Sequence, residues 1–450
     1  MIFILTLVLF ILMVFIYIIN KHSLCSISLV ANLSFFISAL VYCFTFNVIG
    51  KDISIKTFIV IICSIVFMFI GEMFGKRVVI NANKKDFFQV VDSNLYYSDS
   101  LCKMIIIFCL MIITFLVRFY DLYKFSLTIG NSGGILGTLA AVRLSYATGQ
   151  YVSQTSLMPI AIVLTLIFEI YAYLYLYYFL FNVIVAGIVQ KRLLLPFIGY
   201  LIICISFTGR NQMIMAIVML IWMMMYIYYS HFSKRKYVSN KLLRKIFKIG
   251  IISLIILLLY ASVTRNTAAN ETSSFVKVIT SYFSSALYGL DQNMDGLIYG
   301  INGRRLCFGY YTLQELHTFL NSCGMDFAVP VFHNLPFFSY KNGSSNIYTS
   351  LLFPILDYGI IGMLITRLFI GLFSGMVLNR VRKLDYSKKE SVTWIVFVGL
   401  LFYNAFYSYI ADRYYYNILS PSSLLKYTLF SWLVIKIFGG CKRCKKEDLL

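Results

Sequence analysis

The stretch LLLPFIGYLIICISFTGRNQMIMAIVMLIWMMMYIYY, Leu193 to Tyr229, carries a single ionised side chain, Arg210. As one helix it would run about 55 Å at 1.5 Å per residue, nearly twice the ~30 Å hydrocarbon core of a bilayer. It must therefore turn, and the polar string SFTGRNQ, Ser206 to Gln212, is the turn.

Composition supports this. Of 450 residues 60% are hydrophobic, 17% aromatic and only 13% charged, and the mean hydropathy is +0.82. Soluble domains of that make-up would expose far more apolar surface than water tolerates. The apolar runs are continuous and do not alternate, which excludes a β-barrel. The first run, IFILTLVLFILMVFIYII, lacks a small-residue cleavage site and reads as a span that stays. The expectation is an all-α polytopic membrane protein of about eleven spans, near 2–19, 26–46, 57–74, 103–119, 157–182, 193–208, 212–230, 249–264, 357–379, 391–410 and 423–438. The chain then divides into N-terminal spans (1–119), an external or re-entrant segment (120–156), central spans (157–264), an external helical lid loop (265–356), and C-terminal spans with a basic tail (357–450).

Lysine and arginine bias in short loops sets orientation. The acid-free segment HFSKRKYVSNKLLRKIFK, the pair GKR and NKK, the run Arg380 to Lys389 and the tail CKRCKK all fall on one side. That side is the cytoplasm, with the N-terminus outside and the C-terminus inside. The net charge of +21 is thus mostly topology, and nucleic acid is not a partner.

This orientation puts Arg118, Arg143, Arg210, Arg265, Arg304 and Arg305 at the outer face, each with a planar fork of donors suited to phosphate oxygens. Arg210 follows Gly209 at the start of a helix, where backbone donors and the dipole favour an anion. The alternative is snorkelling, or pairing with an acid such as Asp357. Arg143 lies in GILGTLAAVRLSYATGQ, apolar enough to lie on the membrane or re-enter it; it is read either as a second anion contact or as an interfacial arginine.

The tract SSNIYTSLLFPILDYGIIGMLITRLFIGLFSG, Ser344 to Gly375, resembles the late signature of Wzy-type O-antigen or capsule repeat-unit polymerases. It has a polar start with Asn346 and Tyr348, then Asp-aromatic-Gly, then a glycine-spaced span. The T-G-R-N turn and the A-x-R-L-x-Y segment around Arg143 are similar to two further features of that group. The resemblance implies a glycosyltransferase at the outer face of the bacterial cytoplasmic membrane that needs no cofactor. Its partners would be undecaprenyl-pyrophosphate-linked oligosaccharides, membrane lipids and a chain-length regulator. The growing glycan would pass from its lipid carrier to the non-reducing end of a new repeat unit. Arg143, Arg210, Arg304 and Arg305 are then candidates for the pyrophosphate, whose charge grows as the glycosidic bond breaks, and Asn346 and Tyr348 for glycan.

Related O-antigen ligases carry a His-Asn pair where this chain has Ser345-Asn346, which disfavours a ligase. His333 and Asp357 are the substitutes proposed for the base. A flippase would also want basic residues, but it expects internal repeats and short external loops. Gly371 and Gly375 form a G-x-x-x-G suited to close helix packing. The tyrosines of YAYLYLYY, Tyr171 to Tyr178, line a groove or pack in the bundle. Asp291, Asp295 and Glu315 bind sugar hydroxyls or face solvent. Cys307 and Cys323 share the long loop and can form a disulfide, whereas Cys441-x-x-Cys444 lacks the second pair that zinc would need. No metal-binding or phosphate-loop motif is present in the sequence.

Overall fold

The computed structural model describes residues 1–21, 23–78, 95–130, 138, 142, 145, 151–207, 211–231, 248, 279–294, 309–327, 338–341, 343–345, 347–385, 387–418, 420–438 and 442–445. Its longer helices are α1 (Ile2–Ile19), α2 (Ile27–Phe44), α3 (Ile55–Val78), α4 (Leu101–Thr128), α5 (Met158–Phe181), α6 (Leu195–Ile205), α7 (Asn211–His231), α8 (Ser285–Asn293), α9 (Gln314–Ser322), α10 (Leu352–Arg382), α11 (Ser391–Tyr407) and α12 (Ser431–Phe438). Seven of them, α1 to α5, α7 and α10, are long and apolar enough to cross a membrane. The protein is a mostly helical, membrane-embedded chain.

The remaining predicted spans differ. The 11-residue α6 covers about 16 Å, half a bilayer. α11 has 17 residues. The span expected at 423–438 is broken into Pro421–Leu425, a π-helical turn Lys426–Phe430 and α12, and the span at 249–264 lies outside the described residues. The mostly helical architecture agrees with the all-α expectation, and the described residues add two short antiparallel ladders: β1 (Leu95–Ser98) with β4 (Lys442–Lys445), and β2 (Phe338–Tyr340) with β3 (Gly343–Ser345).

The chain forms two compact units, each from three separate segments: Met1–Lys85, Ser274–Lys383 and Leu400–Leu425 in the first, Asp86–Ser273, Leu384–Gly399 and Lys426–Leu450 in the second.

In the first unit α3 and α10 touch backbone to backbone. A Cβ on Gly371 would meet the Met68 carbonyl oxygen at 2.0 Å, and one on Gly75 the Leu372 oxygen at 2.1 Å. Two small-residue stripes, Gly71 with Gly75 and Gly371 with Gly375, therefore face each other. At one end of the pair the buried Glu72 accepts from Ser28 N at 2.8 Å and Ser26 Oγ at 3.0 Å and pairs with Lys76 at 2.6 Å. Asn379 and Arg382 reach carbonyl oxygens of Lys76 and Cys25 there. At the other end Asp291 accepts from Ser54 N and Thr57 Oγ1 at 2.8 and 2.6 Å and so caps α3. The described part of 265–356 holds α8, α9 and the β2–β3 hairpin, which docks through Lys341 N on Ile49 O.

In the second unit α4, α5 and α6 pack together, and all five tyrosines of YAYLYLYY are buried, which settles them as bundle packing. Tyr178 stacks on Tyr97 of β1 with centroids 4.2 Å apart. Glu169, mid-way along α5, pairs with Lys426 at 2.5 Å and accepts from Tyr427 at 2.7 Å. The π turn that breaks the last span carries both of these partners.

Candidate functional site

The Asp-Tyr-Gly triplet of the sequence signature is a reversal inside α10. Gly359 has φ 71° and ψ 179°, a region open essentially to glycine alone. A Cβ there would touch nothing within 4 Å, so conformation and not space demands the glycine. The break lets Arg367, buried at 2% exposure, reach back and donate to Ser350. It also aims Asp357 at the loop before α9. The Asp357 carboxylate accepts from Tyr311 N at 3.1 Å, Thr312 N at 2.7 Å and Thr312 Oγ1 at 2.8 Å, and Tyr358 Oη bonds Thr312 Oγ1 at 2.5 Å. Asp357 thus anchors a turn, with its acceptor capacity largely engaged.

The anchored turn walls a small cleft of about 10 Å³ lined by Tyr311, Thr312, Gln314, Glu315, Phe353, Asp412 and Tyr415, room for about one water molecule. Tyr311 and Phe353 stack at 5.4 Å, 11° from parallel. Asp412 sits between α11 and the short helix Tyr414–Ile418, 9% exposed. Its Oδ1 accepts from Tyr415 N at 3.3 Å, while its Oδ2 has no hydrogen-bond partner among the described residues. Burial pushes the Asp412 carboxyl up to about 7, against the opposing pull of Arg367, of the Tyr415 and Tyr414 backbone N–H groups and of Arg413. Burial also raises the half-buried Glu315, with Arg413 opposing. Sites for drug-sized ligands occupy roughly 300–1,000 Å³, so as it stands this cleft admits no more than a water-sized group. Two carboxyls, a threonine hydroxyl and aromatic faces suit a neutral hydroxylated group better than an anion. Among the described residues no cluster of His, Cys, Asp and Glu is arranged to hold a metal ion.

The second unit has a different polar site. Arg118, 4% exposed near the end of α4, donates from Nε to Ser206 Oγ at 3.0 Å and lies 4.3 Å from the Phe207 ring centroid. The turn SFTGRNQ therefore begins clamped on an arginine. One helical turn on, Asp121 accepts from Gln154 N at 2.8 Å, Thr155 N at 2.7 Å, Thr155 Oγ1 at 2.8 Å and Tyr151 Oη. Val142, Leu122 and Phe125 form one apolar cluster with Ile205 and Tyr151 packed against it. The residues just before Arg143 and just before the SFTGRNQ turn are thus brought to one end of one unit.

No family model, curated protein or solved structure matches the chain.

Of the residues singled out in the sequence, Arg143, Arg210, Arg304, Arg305, His333 and Asn346 lie outside the described residues, as does Cys307. Tyr348 is buried, with its ring 5.4 Å from Phe338. His317 is buried and stacked on Phe327 at 4.9 Å. Asp291 is a helix cap and Glu315 a cleft residue. Asp412 was missed. Its signal is the string ADRYYY, Ala411 to Tyr416, an acid beside a base in the short gap between two spans.

Proposed function

We propose that this protein is an oligosaccharide repeat-unit polymerase of a bacterial cytoplasmic membrane, a metal-independent glycosyltransferase acting at the outer face with its N-terminus outside. It moves a growing glycan from undecaprenyl pyrophosphate to the non-reducing end of a lipid-linked repeat unit. The observation that supports this reading is the reversal at Gly359, in the Asp-Tyr-Gly segment on which the family resemblance rests. The cleft offers aromatic faces and carboxyls of the kind that sugar hydroxyls need. The arginine-bearing segments around positions 143 and 210 supply the cationic groups for the pyrophosphate, and 265–356 serves as the lid.

The test is expression in a membrane that accumulates lipid-linked repeat units, with the glycans resolved by size. The wild-type chain should yield a ladder of long glycans, and Arg210→Ala should leave single repeats with the protein still inserted. Repeats that change sides without lengthening would indicate a flippase instead.

A further inference from the structure

We infer that the groove between α3 and α10 binds an anionic phospholipid of the bilayer, one acyl chain lying along the groove and the phosphate resting on Arg77 and Arg380. The inference is independent of the polymerase reading and concerns the first unit alone.

Close backbone contact makes the groove. A Cβ on Gly71 would meet Leu368 O at 2.1 Å, and one on Gly75 would meet Leu372 O at 2.1 Å, so large side chains can stand only to either side of the seam. On one side Phe67, Ile70 and Phe74 of α3 and Leu368, Phe369 and Leu372 of α10 wall a hollow of about 330 Å³, with Gly71 between them. Its lining is wholly apolar. Phe74 and Phe369 are 54% and 61% exposed, so it opens outward. Such a hollow takes hydrocarbon and offers nothing to water or sugar.

The end of the groove selects a charged lipid. The contacts at Gly71 and Gly75 advance together along both helices, so α3 and α10 run parallel and end side by side, where Asn379 Nδ2 donates to Lys76 O at 2.7 Å. Lys76 and Arg77 lie in the last turn of α3, and Arg380 and Arg382 in that of α10. Lys76 is paired with Glu72, and Arg382 donates to Cys25 O. Arg77 and Arg380 are exposed and, among the described residues, engaged by no carboxylate. Arg77 continues the stripe of Phe67, Ile70 and Phe74 one turn further, and Arg380 follows Phe369 by three turns on the same face. From Phe67 to Arg77 is about 15 Å of helix axis, half of the ~30 Å hydrocarbon core and so the depth of one leaflet. An acyl chain that reaches Phe67 therefore has its phosphate at the level of two guanidinium forks. Basic pockets between spanning helices hold anionic lipid heads in this way. A zwitterionic head would bring its own cation beside the arginines, and a second parallel copy of this chain would bring two more.

The test uses the full-length chain purified in a neutral detergent and titrated with dioleoyl phosphatidylglycerol or dioleoyl phosphatidylcholine. Retained lipid is read by native mass spectrometry and stability by the thermal midpoint. Phosphatidylglycerol should be retained as a single lipid and raise the midpoint more than phosphatidylcholine does. Arg77→Ala with Arg380→Ala should weaken phosphatidylglycerol by about tenfold and leave phosphatidylcholine unchanged. Ile70→Trp, which fills the groove, should weaken both. Lys388→Ala, on the exposed segment between α10 and α11, should alter neither. Equal retention of the two lipids overturns the inference, as does a double alanine variant or a Trp variant that binds like the wild type. Undecaprenyl phosphate that displaces phosphatidylglycerol at equal concentration assigns the groove to a polyprenyl carrier, and a two-chain species that forms as lipid leaves assigns it to a second copy; either result overturns the inference. Should a variant fail to fold, the wild type decides. Its preference for phosphatidylglycerol must shrink as salt rises from about 0.05 to about 0.5 M, and a preference that salt leaves untouched overturns the inference.

Discussion

Arg367 donates to both the carbonyl oxygen and the hydroxyl of Ser350, at 2.9 and 2.6 Å, across seventeen positions of chain. A straight helix would hold residues so spaced about 25 Å apart. The contact exists only because Gly359 turns the chain back on itself. One glycine therefore positions a buried arginine, the anchor Asp357 and, through them, a wall of the cleft.

Replacing that glycine should be costly. Gly359→Ala has room for its methyl group but must adopt φ near +71°, a strain of about 1–3 kcal/mol. A lower thermal midpoint in detergent and a loss of chain lengthening are expected. Unchanged values for both would show that the reversal tolerates a side chain.

The glycine crossing of α3 and α10 fails for the opposite reason. At Gly371 the backbone is ordinary, and the obstacle is the Met68 carbonyl oxygen 2.0 Å from the added methyl carbon. Gly371→Leu should force the helices apart and destabilise by more than Gly359→Ala, since overpacking typically costs about 1–3 kcal/mol even where side chains can give way. Comparative unfolding of the two variants checks the order.

The pair Glu169–Lys426 makes a prediction about sign. Glu169→Gln leaves Lys426, 19% exposed, beside a neutral partner, and breaking a buried pair costs about 3–5 kcal/mol. Removing both charges with Glu169→Gln and Lys426→Met should recover most of that loss. A double variant as unstable as the single one would assign the cost to lost packing.

Asp99 provides the acid limb. Burial by itself would raise its carboxyl, but hydrogen bonds from Lys103 and Tyr175 outweigh it and hold the group below the usual range. A group depressed in the folded state stabilises fully above its unfolded pKa, about 3.9, and loses that contribution as pH falls through the folded value. Stability should therefore drop below about pH 4. Asp99→Asn should flatten that drop in an unfolding series against pH.

Much of this was legible in the sequence, and the reason is solvent. Hydrocarbon requires every backbone polar group to be satisfied within a helix, so apolar runs such as Ile2–Ile19 and Asn211–His231 state their own structure. Polar residues are harder to read, because their meaning depends on a partner distant in the chain. Asp291 looks like a ligand-binding acid in its loop and is a cap for α3, more than two hundred positions earlier. Asp357 reads as a candidate base, and the structure adds that its carboxylate holds the turn at Tyr311 and Thr312. Asp412, with the most exploitable chemistry, sits in a string that resembles an ordinary loop charge. Its burial, with one oxygen lacking a donor among the described residues, is a property of the fold and invisible in the string ADRYYY.

The ladder between Leu95–Ser98 and Lys442–Lys445 has a consequence for biosynthesis. Tyr96 lies opposite Cys444, so an early strand has no hydrogen-bonding edge to meet until a strand far later in the chain has been made. Both units are likewise stitched from early and late segments. During translation, helices from early segments wait for partners made much later.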